Sequence, residues 1–100
     1  DYHFIPLDEI IYLKADNNTT DFYLQTGKVI SGFKTMKYFE GQLPFYFFRV
    51  HNSYIVNIKF VTRINLGKFD CFLFDNMYKI SFSRTYRDNI DAIIKRIGKF

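Results

Sequence analysis

A chain of 100 residues with 14 Lys/Arg, 10 Asp/Glu, 13 Phe and 8 Tyr reads as one aromatic-rich domain of net charge +4. Its single cysteine excludes an internal disulfide and any cysteine-based zinc site. No apolar run suits a signal peptide or a bilayer span, which fits a cytoplasmic, reducing location.

The positive charge is concentrated in one half. Residues 1–50 hold five Lys/Arg and six Asp/Glu, whereas residues 51–100 hold nine and four. A basic half suits a polyanion binder, although a solvated basic face has the same composition. Each aromatic ring can bury about 150–250 Å², so rings should supply most of the core. Thirteen Phe exceed what so small a core can hide, and some should line a surface or an interface.

In chain order, Ile10 to Lys14 is a β-rich run that stops at the polar segment 15–20, an exposed loop by composition. Asp21 to Thr26 resumes as strand, Gly27-Lys28 turns, and Val29 to Phe33 returns antiparallel. Lys34 to Leu43 changes to a helical period, with Thr35 as N-cap and Pro44 as terminator. Phe45 to Phe48 and Tyr54 to Val56 are apolar strands flanking a polar cluster, Arg49 to Ser53. Asn57 then caps one helical turn, and Arg63 to Asn65 is strand.

Past a turn at Leu66-Gly67-Lys68, Phe69–Phe74 and Met77–Phe82 pair across Asp75-Asn76. Cys71 falls within the first of these strands, where a buried, inert thiol is expected. Residues 87–97 form a helix with an Ile90, Ile93, Ile94 and Ile97 stripe. Lys95, Arg96 and Lys99 suit the negative end of its dipole, and Gly98 ends it.

Chemistry gathers in the loops. Arg can bridge two acceptors of guanine and Asn can pair with adenine, whereas Lys is a point charge suited to phosphate. Three loops carry such groups: residues 17–20 with Asn18 and Thr20; residues 49–53 with Arg49, His51, Asn52 and Ser53; and Ser83-Arg84 with Arg87. Lys59, Lys79 and Arg87 are candidate phosphate contacts, and each also reads as ordinary solvated charge. His51 also reads as a structural hydrogen bonder, and Arg49 as half of a salt bridge. His3 and His51 lack metal-ligand spacing, and no nucleophile has a base partner, so neither a metal, a cofactor nor catalysis is expected.

The string Phe47, Arg49, His51, Ser53, Val56, Asn57 resembles the central signature of the LytTR family of bacterial DNA-binding domains. Leu7 to Leu13 resembles the family's opening strand, and Ile80 to Tyr86 a later strand ending in Ser-Arg before an aromatic residue. The three pieces stand in family order over about residues 5–98. The resemblance implies a mainly β, elongated fold of stacked small, mostly antiparallel sheets with one short internal helix and a C-terminal helix. It implies that loops, not a helix, enter DNA, with the loop at Thr20 and the loop at Arg84 in successive major grooves and Asn52 between them.

The family's architecture further implies the output domain of a bacterial two-component regulator. That domain would follow a receiver domain phosphorylated by a sensor kinase and bind paired promoter repeats as a dimer. The start at Asp1 suggests a domain excised from a longer chain. Two other classes stay open: a single-strand binder that stacks bases on exposed rings, and a protein-interaction module that docks a partner through exposed Phe.

Overall fold

The computed structural model describes residues 4–98; His3 and Lys99 lie outside the described residues. Eight strands and two helices follow one another in this stretch. They are β1 (Ile10–Asp16), β2 (Thr19–Leu24), β3 (Val29–Gly32), α1 (Met36–Glu40), β4 (Phe47–His51), β5 (Tyr54–Asn57), β6 (Val61–Asn65), β7 (Asp70–Leu73), β8 (Tyr78–Ser81) and α2 (Arg87–Ile97). Five strands form one antiparallel sheet in the order β3-β2-β1-β5-β4, and β6-β7-β8 form a second. The described body is elongated, 44 × 26 × 21 Å. The expected architecture of two small antiparallel sheets, an internal helix and a C-terminal helix is the one observed.

The centre of the large sheet shows how sequence becomes core. Ile10, Ile11, Tyr12 and Leu13 are buried in succession because both faces of β1 are covered. A register shift between Ile10 and Tyr12 breaks the alternation there, so the neighbours Ile11 and Tyr12 share one face and Ile10 and Leu13 the other. Ile10 and Leu13 pack with Phe22, Leu24, Ile55 and Met36 of α1. Ile11 and Tyr12 face the other way, toward Val56, Leu73, Ile80 and the α2 residues Ile90 and Ile93. Fully burying each of these isoleucines contributes about 1.5–3 kcal/mol, so α2 is held by its apolar stripe.

Thr35 accepts the Tyr38 N–H at the start of α1, and Gly98 ends α2 at φ 88°. Tyrosines fill the half-buried seam between the sheets: Tyr12 stacks on Tyr23 at 4.4 Å and meets Tyr78 edge-on at 5.4 Å. Three phenylalanines stay outside, Phe4, Phe33 and Phe45 at 93%, 86% and 74% exposure.

Two expectations are corrected here. The helix expected over Lys34 to Leu43 spans only Met36–Glu40, since the cap Thr35 is extended and Gly41 closes it. Segment 15–20 is not an open loop, because β1 runs to Asp16, β2 begins at Thr19, and only Asn17 and Asn18 turn. Asn17 takes φ 55°, a conformation its short polar side chain tolerates. The hairpin is therefore tight.

Cys71 is fully buried in β7, and burial pushes its thiol up to about 12 from an ordinary 9.0. At pH 8 the thiolate fraction then falls from about a tenth to about one in ten thousand. A thiol reagent should label the native domain roughly 1,000-fold more slowly than the denatured chain. Equal rates would mean that the wrong face of β7 has been placed inward.

Candidate nucleic-acid interface

Three of the loops singled out by residue chemistry come together at one end of the large sheet. The β1–β2 turn and the β4–β5 turn emerge side by side, because β1 and β5 are neighbours, and the Ala15 N–H donates to the Ser53 carbonyl at 2.9 Å. The segment after β8 joins them from the other side, where the Ser83 N–H donates to the Val50 carbonyl at 2.9 Å. The Tyr86 hydroxyl then donates to Asn52 Oδ1 at 3.2 Å. Backbone hydrogen bonds thus tie the turn at Asn17-Asn18, the turn at Asn52-Ser53 and the Ser83-Arg84 corner into one supported edge.

Arg49 organises the middle of this edge. Its side chain is only 12% exposed, and its fork is fully engaged. Nε donates to the His51 carbonyl at 2.8 Å, Nη2 to the Asn52 carbonyl at 2.6 Å, and Nη1 meets Glu40 Oε1 of α1 at 2.8 Å. Its own carbonyl accepts from Asn89 Nδ2 of α2 at 2.7 Å. Arg49 was a candidate DNA contact that also read as half of a salt bridge; each of its three nitrogens has a partner within the domain, so it braces the turn. His51 is similar. Its Nδ1 accepts the Ser53 N–H at 3.0 Å and its ring lies 5.3 Å from that of Tyr54, the structural role that competed with DNA contact. Ser53 is half-buried, with its backbone N–H and carbonyl both committed.

Thr20 is also corrected. It is fully buried and its hydroxyl donates to the Lys34 carbonyl at 3.0 Å, so it cannot reach a groove. Asn18, beside it in the turn, is exposed. Lys59 is exposed, as expected, but lies apart from the other candidates. β5 carries the chain away from the Asn52 turn, and Lys59 lies beyond its far end, paired with Asp8 at 3.0 Å. That ion pair holds the Lys59 ammonium above its ordinary pKa.

The outward-facing groups are Asn18, Asn52, Arg84 and Arg87. Arg87 is engaged with Asp91 one helical turn on, at 3.1 Å. Arg84 forms no ion pair among the described residues, and its guanidinium rests 5.6 Å from the centre of the Phe69 ring. Ser83 is half-buried and anchors Arg84 through its backbone. Asn52 has its Oδ1 held by Tyr86, and among the described residues its Nδ2 donates to none.

Sequence reasoning missed three residues of this edge. Tyr86 orients Asn52, Asn89 ties α2 to Arg49, and exposed Lys68 sits in the β6–β7 turn next to the ring beneath Arg84. Only Tyr86 left a signal, as the aromatic residue after Ser-Arg-Thr.

A family model described as the LytTr DNA-binding domain matches residues 1–95. No curated protein gives a significant match. Among solved structures, the chain is similar to a LytTr DNA-binding domain of a methyl-accepting/DNA response regulator from Bacillus cereus. The TM-score is 0.78 at 24% identity, covering 89% of this chain and 84% of that one, a likeness that speaks for the fold. With the signature strands, the two-sheet architecture and the family match in agreement, this chain belongs to the LytTR family of DNA-binding domains.

Proposed function

We propose that this domain binds double-stranded DNA sequence-specifically through the braced edge at one end of its large sheet. The observation that carries this reading is the junction of Asn18, Asn52 and Arg84 on turns fixed by hydrogen bonds to one another. Positioned donors read base edges without first losing the entropy of a floppy loop. Arg84, exposed and unpaired among the described residues, suits guanine O6 and N7 in a major groove. Tyr86 orients the Asn52 amide through its oxygen and leaves the Nδ2 donors turned outward, and these suit the adenine N3 and thymine O2 acceptors of a minor groove.

The domain acts as a single unit, the output half of a two-component regulator. A receiver domain and its sensor kinase control it, and it sits in the bacterial cytoplasm as a dimer on paired promoter repeats. The family's usual architecture supports that assignment, and the solved relative's description as part of a response regulator agrees with it. No helix among the described residues is long and apolar enough to cross a membrane. No enzymatic step is assigned to the domain. Against a single-strand binder stands the use of the tyrosines: Tyr12, Tyr23 and Tyr78 pack on one another between the sheets, which leaves them no free face for bases.

The test compares duplex with single-strand affinity across a salt series. Duplex should win, with a log–log slope near −4 to −6 if roughly four to seven phosphates are neutralised. A flat salt response, or preference for the single strand, contradicts the reading.

A further inference from the structure

At the end of the large sheet away from Asn52, an open groove of about 650 Å³ runs between Phe45, Tyr46, Ile58, Lys59, Arg96 and Ile97. Its floor is apolar and wet: Phe45 is 74% and Ile97 38% exposed. Its rim is cationic and ordered by aromatic rings. The Arg96 guanidinium lies 5.3 Å from the Phe45 centroid and 5.6 Å from that of Phe48, and Lys59 Nζ lies 4.3 Å from that of Tyr46. Neither the core nor the braced edge uses this surface.

We propose that the groove docks an acidic segment of a partner protein, with aliphatic or aromatic side chains on the floor and carboxylates at Arg96 and Lys59. Charge decides the occupant. Asp8 offsets Lys59, but Arg96 and the neighbouring exposed Lys95 add two full positive charges. The C-terminus of α2 counters them with only about half a negative charge. A second copy docked by two-fold symmetry would set these cations against the same cations, which costs association. Cations over aromatic faces also keep their stems spread on the floor, so a carboxylate meets positioned partners. Because β5 separates the groove from the Asn52 turn, partner and DNA can be held together, and the inference stands independently of which DNA is read.

The probe is a fluorescein-labelled peptide in which Glu alternates with Leu and Phe, titrated with the domain and followed by anisotropy. Saturable binding is expected, unchanged when duplex DNA is added to saturation. Phe45→Ala and Arg96→Glu should each weaken it by about tenfold, the first by removing the apolar floor and the second by setting a like charge against the carboxylates. Lys79→Glu, a charge reversal on exposed β8, should leave it unchanged. Both groove positions are exposed, and circular dichroism with Arg96→Gln as a milder variant separates lost docking from lost folding. Absence of saturable binding overturns the proposal. So do displacement by duplex, which makes the groove a DNA contact, and an equal loss in Lys79→Glu, which makes the binding generic charge attraction. A dimer in sedimentation that Phe45→Ala dissolves overturns it in favour of a second copy.

Discussion

Arg49→Ala should remove about 3 kcal/mol of folding stability, a fall of roughly 10–20 °C in Tm for a domain of this size. The guanidinium donates to the carbonyls of His51 and Asn52 from a side chain only 12% exposed. Charge-assisted bonds of this kind contribute about 1.5–3 kcal/mol each. Glu40 adds little beyond them, since its side chain is 45% exposed and its pair is screened to about 0–1 kcal/mol. Arg49→Lys should be nearly as damaging, because an ammonium keeps the charge but cannot span three acceptors with a planar fork. Thermal and denaturant unfolding of both variants decide the matter. If Lys restores wild-type stability, charge rather than the fork holds the turn.

Arg84→Ala is expected to leave stability almost intact and to spoil recognition. Its cation–π contact with Phe69 is exposed and worth about 0.5–1 kcal/mol. A bidentate base contact is worth about 1–3 kcal/mol of discrimination, or roughly 5- to 150-fold. Duplexes selected from a random pool supply the operator, and affinities for operator and scrambled DNA supply the readout. Arg84→Ala should lose discrimination. Lys59→Ala should bind both duplexes as the wild type does, since its ammonium is paired with Asp8 at the far end of β5. If Arg84→Ala weakens both duplexes equally, Arg84 clamps the backbone and the specificity lies around Asn52.

Periodicity made much of this fold readable. α2 was legible at both ends because isoleucines at helical spacing meet a glycine stop at Gly98. Thr20 was misread because a polar side chain in a polar stretch looks exposed. Its burial depends on the Lys34 carbonyl, a partner fourteen residues away that only the packed sheet brings close. That Ile11 and Tyr12 share one face of β1 could not be inferred either, since the register shift that places them so breaks the alternation on which strand reading rests.

The site divides along the same line. Residue type singled out three loops that the fold brings to one edge, but type cannot separate an exposed group from a brace. Arg49 became a brace because α1 delivers Glu40 and the turn presents two carbonyls. Lys59 was read as a free surface cation, because its partner Asp8 stands fifty-one residues away in the chain and only the fold brings the two together.

Backbone amide shifts in a titration of the domain with its selected duplex locate the DNA contact residue by residue. The largest changes should cluster at Asn17–Thr19, His51–Ser53 and Ser83–Arg87, with Asp8, Tyr46 and Lys59 unmoved. Changes centred on Asp8, Tyr46 and Lys59, with the Asn52 turn unmoved, would contradict that placement.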